Sequence, residues 1–127
     1  MSHPGPTVRA VDGRAERGRA GEDAALAVYR GRGFSLLARN WRCSLGELDL
    51  VLERDGVIVI CEVKARTGAG FGAGHESVTR AKRERIRRLA EAFLAAERRE
   101  AAAVRLDVAS VRLGPRGAEV ELFEDAF

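Results

Sequence analysis

Asp49, Glu62 and Lys64 are the residues whose types and spacing could do chemistry. They flank an Asp55-Gly56 dipeptide, within the segments GELDLVLER (46–54) and VIVICEVKA (57–65). Asp-Gly between strand-like runs predicts a tight hairpin, because both of its central residues tolerate positive φ. A two-residue loop pairs Arg54 with Val57. The register then steps outward and sets Asp49 opposite Glu62, and Glu47 opposite Lys64. Side chains directly opposite have Cβ atoms about 4.5–5.5 Å apart. Two carboxylates held that way in an apolar sheet repel, and burial raises the cost of each charge. A shared proton, the neighbouring Lys64, or a divalent cation would compensate. Mg2+ suits such an oxygen-only donor set better than zinc does. A simpler alternative has both carboxylates facing solvent and paired with Lys64 or an arginine. Against it, Val51, Ile58 and Ile60 are expected on the same face. Lys64 reads either as a counter-ion or as a group that orients a nucleophile and offsets charge on a transferring phosphoryl group. Both readings predict a loss for Lys64→Ala, but only the second predicts lost rate with stability kept.

The run RAKRERIRR (80–88) is the strongest basic cluster. Arg80, Arg83 and Arg87 are expected to face outward on a helix, where they could track a phosphate backbone without reading bases. Lys82, counted with them as a nucleic-acid-binding residue, lies four residues before Ile86, so it falls near the buried stripe and is expected to point along the sheet toward the site. Glu22, at an expected helix start, is accounted for by the helix dipole alone, with Asp23 as its neighbour. The loop from Thr67 to Glu76 carries four glycines but no GK[ST], which excludes a Walker phosphate loop. It could close over a nucleic acid, with His75 at its end. Phe34 and Trp41 are expected to pack in the core. The acidic residues Glu119, Glu121, Glu124 and Asp125 are expected on a solvated edge.

These groups must be positioned by a fold that fits 127 residues, of which 46% are hydrophobic and 32% charged. That is one globular domain with no need of a disulfide or metal staple. Residues 1–18, rich in Gly, Pro and Arg, are expected to be a flexible tail, and 19–127 the folded domain. Helical propensity predicts a helix over Glu22–Arg32, ended by Gly31 and Gly33. Strands are expected over Phe34–Cys43, Glu47–Arg54 and Val57–Ala65. In the second, Leu48, Leu50 and Leu52 are expected on one face, with Glu47, Asp49, Val51 and Glu53 on the other. A long amphipathic helix follows over Ser77–Arg99. Val104–Leu113 and Ala118–Phe123 complete the strands, joined at Gly114–Gly117. The order α-β-β-β-α-β-β predicts an α/β fold, a central mixed β-sheet flanked by helices. No run reaches the ~20 apolar residues of a membrane span, and no secretory h-region is present. Cys43 and Cys61, far from any CxxC or histidine spacing, point to a reducing cytoplasmic setting. The net charge is +3; of the 22 basic residues 20 are Arg and two are Lys. Such a balance permits a nucleic-acid partner.

Asp49 followed after twelve residues by Glu62-Val63-Lys64 resembles the D…(D/E)XK signature of the PD-(D/E)XK nuclease superfamily. The wider stretch GEDAALAVYRGRGFSLLARNWRCSLGELDLVLERDGVIVICEVKART is similar to the bacterial YraN-like family, a group akin to archaeal Holliday-junction resolvases. The likeness extends through Phe71-Gly72, the Val78…Lys82 helix start and RLDV (105–108), covering roughly residues 20 to 123. The resemblance implies a restriction-endonuclease-like fold and a metal-dependent endonuclease acting on DNA, at branched or recombination structures. It implies Asp49, Glu62 and the Val63 carbonyl as ligands of Mg2+ or Mn2+. It makes Lys64 the catalytic lysine and Glu22 an additional acidic residue at the site. The superfamily's proline is replaced by Leu48. Related resolvases act as dimers, which leaves a homodimer open. Two other functions stay open: a non-catalytic nucleic-acid-binding protein of the same fold, and a partner-binding module whose carboxylates serve stability.

Overall fold

The computed structural model describes residues 13–67 and 79–126. The elements are α1 (Gly13–Gly31), β1 (Ser35–Cys43), β2 (Gly46–Arg54), β3 (Val57–Thr67), α2 (Arg80–Ala96), β4 (Ala103–Gly114) and β5 (Gly117–Phe123). The expected α-β-β-β-α-β-β order is therefore present. One mixed sheet contains all five strands in the order β1-β2-β3-β4-β5. The β3–β4 pair is parallel and the other three pairs are antiparallel. Parallel neighbours need a crossover, and α2 supplies it.

The helices cover opposite faces of the sheet. Ala25, Leu26 and Tyr29 of α1 pack on Leu50, Leu52, Val59, Cys61, Ala109 and Val111. Ile86, Leu89, Ala90 and Phe93 of α2 pack on Leu48, Val51, Ile58, Ile60, Leu106 and Val108. Strand β3 feeds both layers, since Ile58, Val59, Ile60 and Cys61 are all buried. Each large apolar side chain removed from water contributes about 1.5–3 kcal/mol. That reservoir lets the same strand carry an unfavourable Glu62. Trp41 and Phe34 are packing residues, as expected. Trp41 meets Phe93 edge-on at 5.4 Å, and Phe34 meets Tyr29 in the same way at 5.4 Å.

Three local expectations are corrected. First, α1 begins at Gly13 rather than Glu22, so residues 13–18 belong to the helix and not to a tail. Gly13 and Gly18 read as breakers, but Ala15, Glu16, Arg17, Arg19 and Ala20 between and after them tolerate helix well. Gly21 within this helix has a packing reason. A Cβ there would lie 2.7 Å from the Ala65 Cβ, so glycine lets α1 approach β3. Residues 1–12 lie outside the described residues. Second, α2 is shorter than Ser77–Arg99. Thr79 is its N-cap, its Oγ1 accepting the Lys82 N–H at 3.1 Å, and Arg98 at φ 53 follows its end. Residues 77 and 78, the glycine loop and His75 lie outside the described residues.

The third correction concerns Leu48. It is buried on the α2 face with Val51, whereas Leu50 and Leu52 face α1. The alternation of β2 therefore slips at Asp49. Across β1, Arg39 pairs with Leu50 and Trp41 with Leu48, and the intervening Asn40 has φ 54. A left-handed residue turns a strand over, so the side chains before and after it leave from different faces. The hairpin itself forms as expected, with Asp55 at φ 50 and Gly56 at φ 83.

Glu119, Glu121, Glu124 and Asp125 are exposed on and after the edge strand β5, as expected, and the buried acid of this region is Asp107 of β4. Asp107, fully buried, accepts the Tyr29 hydroxyl at 2.6 Å and the Arg105 guanidinium at 2.9 and 3.0 Å. It also accepts the Asp125 N–H at 2.9 Å, and Ala126 N–H reaches the Leu106 carbonyl at 2.8 Å. Glu124 pairs with Arg32 at 3.0 Å and Arg105 at 3.7 Å. The chain end is thereby tied to β4.

Candidate metal centre and nucleic-acid interface

The β2–β3 pairing runs from Arg54↔Val57 to Leu50↔Cys61 in the expected register. At Asp49 the regular ladder gives way to bonds involving carboxylates. Val63 N–H donates to Asp49 Oδ2 at 2.8 Å, and the Asp49 N–H donates to the Glu62 carboxylate. The Asp49 side chain thus lies across the gap between the strands, where the slip in β2 has turned it. In an extended strand the C=O of a residue leaves by the same edge as its N–H. The Val63 carbonyl therefore faces the same fork. Asp49 and Glu62 are brought together there, and Val63 joins them through its backbone.

Burial dominates the electrostatics of the pair. It pushes the Asp49 carboxyl up to about 6 against the pull of the Val63 N–H, with the charges of Glu22 and Glu47 adding and Lys64 opposing. It pushes Glu62 up to about 7, with the Asp49 charge adding and Lys82 and Lys64 opposing. Glu62 Oε2 is buried without a hydrogen-bond partner among the described residues. A buried carboxylate oxygen left unpaired costs its full desolvation, and a cation is the natural remedy. The donor set is oxygen only, which fits Mg2+ or Mn2+, ions that keep several waters and need only one or two carboxylates. Among the described residues no three acidic, cysteine or histidine side chains gather closely enough to share one ion. The fitting set is accordingly Asp49, Glu62 and the Val63 carbonyl.

Glu22 is buried, and both of its carboxylate oxygens are engaged. Its Oε1 accepts Arg39 Nε at 3.0 Å and its Oε2 accepts Asn40 Nδ2 at 3.0 Å. Its charge still reaches Asp49. Asp23 pairs with the same Arg39 at 2.8 Å, and Glu47 pairs with Arg42 at 3.6 Å. Arg39 and Asn40 were invisible as site residues in the sequence. The available signal was an asparagine inside a strand, a residue type that tolerates the left-handed region. The Tyr29–Asp107–Arg105 cluster was missed too, although RLDV places an aspartate among apolar strand residues.

Glu62 and Lys64 occupy alternate positions of β3 on the α2 face. Lys64 is half-buried on this face, and Lys82 of α2 is near enough for its charge to act on it. Burial holds the Lys64 ammonium below its ordinary range, and the Lys82 charge acts in the same direction. Arg80, Arg83 and Arg87 are exposed, while Lys82 is half-buried. The expected division of this helix between outward arginines and an inward lysine is present. No helix among the described residues is long and apolar enough to cross a membrane.

Comparison with known proteins agrees with this span. The family described as uncharacterised protein family UPF0102 matches residues 21–111. A UPF0102 protein of Mycolicibacterium smegmatis is 48% identical over 103 residues, covering 80% of this chain and 83% of its own. One from Clavibacter michiganensis is 47% identical over 102 residues, covering 80% and 86%. One from Frankia alni is 45% identical over 111 residues, covering 87% and 92%. The matched region contains α1 from Gly21, the β2–β3 fork, α2 and β4 as far as Val111, and the chain belongs to the UPF0102 family.

Proposed function

We propose that this protein is a metal-dependent endonuclease that hydrolyses phosphodiester bonds in DNA, at branched or recombination structures, on a restriction-endonuclease-like fold. The observation that carries the reading is the fork. Two half-buried carboxylates stand together at the point where β2 and β3 part, with the buried Glu62 Oε2 unpartnered among the described residues and a lysine two residues along the same face. Asp49, Glu62 and the Val63 carbonyl would hold Mg2+ or Mn2+. A divalent cation supplies Lewis-acid charge for phosphoryl transfer when bound. Asp49 is fixed for that work by the Val63 N–H, which sets the direction of its free lone pairs. Lys64 orients the attacking water by hydrogen bonding and offsets the charge that develops on the phosphoryl oxygens. Glu22, steadied by Arg39 and Asn40, adds negative potential beside Asp49 and would serve as the additional acidic residue of the site. The exposed Arg80, Arg83 and Arg87 supply a backbone-binding surface on α2.

The test is cleavage of labelled single-stranded, duplex, flap and four-way-junction DNA in Mg2+ or Mn2+, with Asp49→Asn as control. Cleavage of a branched substrate that is lost in the variant is the expected result. No cleavage with any metal refutes the reading. A second reading, a non-catalytic DNA-binding protein, rests on the arginine face of α2. It predicts binding that Asp49→Asn leaves unchanged or improves. Under either reading, replacing Arg80, Arg83 and Arg87 together should lower the salt slope of DNA binding by roughly 2 to 3. An unchanged slope would remove α2 from the interface.

A further inference from the structure

Asn40 is exposed in the middle of β1, with φ at 54. A left-handed residue inside a strand interrupts the ladder and costs free energy, so it persists only where its surroundings hold it. The register places it beside the fork. Arg39 pairs with Leu50 and Trp41 with Leu48, so Asn40 lies across from Asp49. Its side chain reaches α1, where Nδ2 donates to Glu22 Oε2 at 3.0 Å. One residue thus stands between two acids from different elements, Asp49 of the fork and Glu22 of the helix.

The neighbouring Arg39 has a different part. Its Nε donates to Glu22 Oε1 at 3.0 Å, and its two other nitrogens meet Asp23 Oδ1 at 2.8 Å and the Arg19 carbonyl at 2.9 Å. The whole guanidinium is engaged in tying α1 to β1. Its one positive charge faces the two negative charges of Glu22 and Asp23, so the cluster stays negative. A carboxylate offers about four lone-pair sites. The contacts of Glu22 among the described residues use one on each oxygen.

Asparagine suits this place for two reasons. It enters the left-handed region more readily than most side chains, and its amide is a donor without charge. Glycine would supply the first property and not the second. Lysine or arginine would supply a donor and neutralise the acid that it holds.

We infer that Asn40 is a positioning residue of the candidate metal centre: its backbone carries β1 past Asp49, and its amide holds Glu22 beside the fork without neutralising it, so that Glu22 adds to the affinity for a divalent cation. The inference rests on the metal-dependent reading of the fork and deepens it. Asn40 does not touch the ion; it acts through Glu22.

The probe is Mn2+ alone, titrated calorimetrically into the full chain at neutral pH and fixed ionic strength, without DNA. Asn40→Gly keeps the left-handed backbone and removes the amide. It should weaken Mn2+ binding roughly tenfold, the scale of one hydrogen bond to a charged group, with little change in the thermal midpoint. Asn40→Ala should weaken binding equally and also lower the thermal midpoint, because alanine resists φ 54. Glu22→Gln, which removes the charge that Asn40 places, should weaken binding by a similar factor. Adding Asn40→Gly to Glu22→Gln should then change little further, since residues that act through one another are not additive. Glu22→Asp, which withdraws the carboxylate by one methylene, gives the same comparison if Glu22→Gln is unfolded. Arg30→Met, exposed on α1, should bind like the parent.

Parent-like affinity in folded Asn40→Gly would overturn the inference and leave Asn40 a backbone device only. A second loss of similar size on adding Asn40→Gly to Glu22→Gln would also overturn it, because the amide would then act without Glu22. So would a parent protein that binds no Mn2+. Failure of the nuclease reading is distinguishable. Coupled Mn2+ binding without DNA cleavage keeps Asn40 in its role and removes the nuclease. Cleavage by an Asn40→Gly protein of full Mn2+ affinity keeps the nuclease and removes the role.

Discussion

Replacing Glu62 by Gln should stabilise the metal-free protein at alkaline pH. Glu62 is half-buried, its buried Oε2 lacks a partner among the described residues, and its carboxyl is pushed from an ordinary 4.5 to about 7. A carboxyl with a raised folded-state value holds its proton more tightly in the fold than in the unfolded chain. Its contribution is fully present below about 4.5 and is lost as the pH rises through about 7. The loss amounts to about 3 kcal/mol. Glutamine cannot ionise and still accepts the Asp49 N–H, so the variant escapes that loss. Denaturation in chelator should therefore show Glu62→Gln more stable than the parent by about 3 kcal/mol at pH 8, or roughly 10 °C in Tm. The gap should close toward pH 5. Adding Mg2+ or Mn2+ at pH 8 should raise the parent's Tm, because a ligand that binds only the folded state stabilises it. It should leave the variant nearly unmoved. A gap equal at pH 5 and pH 8, or a variant less stable at pH 8, would refute the reasoning. Glu62 would then be a carboxylate already satisfied by Lys64 and Lys82, and the fork a structural ion cluster.

Two further substitutions test how the fold supports the fork. Gly21→Ala drives a Cβ to within 2.7 Å of Ala65 on β3 and should cost about 1–3 kcal/mol in urea denaturation; a neutral result would show that α1 can slide. Asp107→Ala strands the Tyr29 hydroxyl and the Arg105 guanidinium and should cost about 3–5 kcal/mol, whereas Tyr29→Phe should cost about 1–3 kcal/mol. Equal costs for the two would mean that Arg105 takes no part in the network.

Much of the α/β architecture was legible because its signals are local. The Asp55-Gly56 turn set the hairpin, and the hairpin set the Leu50↔Cys61 register from which Asp49 and Glu62 could be placed side by side. The apolar run of β3 marked a strand, which the fold buries on both faces, and the amphipathic pattern of α2 predicted its packing face. The sequence also singled out the lysine that turns inward among outward arginines. The start of α1 was misread because Gly18 and Gly21 count as breakers in any local reading. Gly21 is instead required by Ala65, which lies 44 residues away.

What the sequence determined by itself is the order of elements, the register of the hairpin and the identity of the chemical groups. Those follow from turn propensity and periodicity, which act between neighbours in the chain. Only the tertiary structure decided how the groups are aimed. The left-handed Asn40 turns β1 over opposite the slip in β2, which sends Leu48 to the α2 face and lays Asp49 across the fork. Glu22 is drawn to Arg39 and Asn40. Asp107 is buried because Tyr29, Arg105 and the Asp125 backbone converge on it. Each of these is a charge or donor satisfied by a partner from another element. Such partners can be assigned only when packing has set which faces meet, because the cost of burying a polar group depends on what surrounds it.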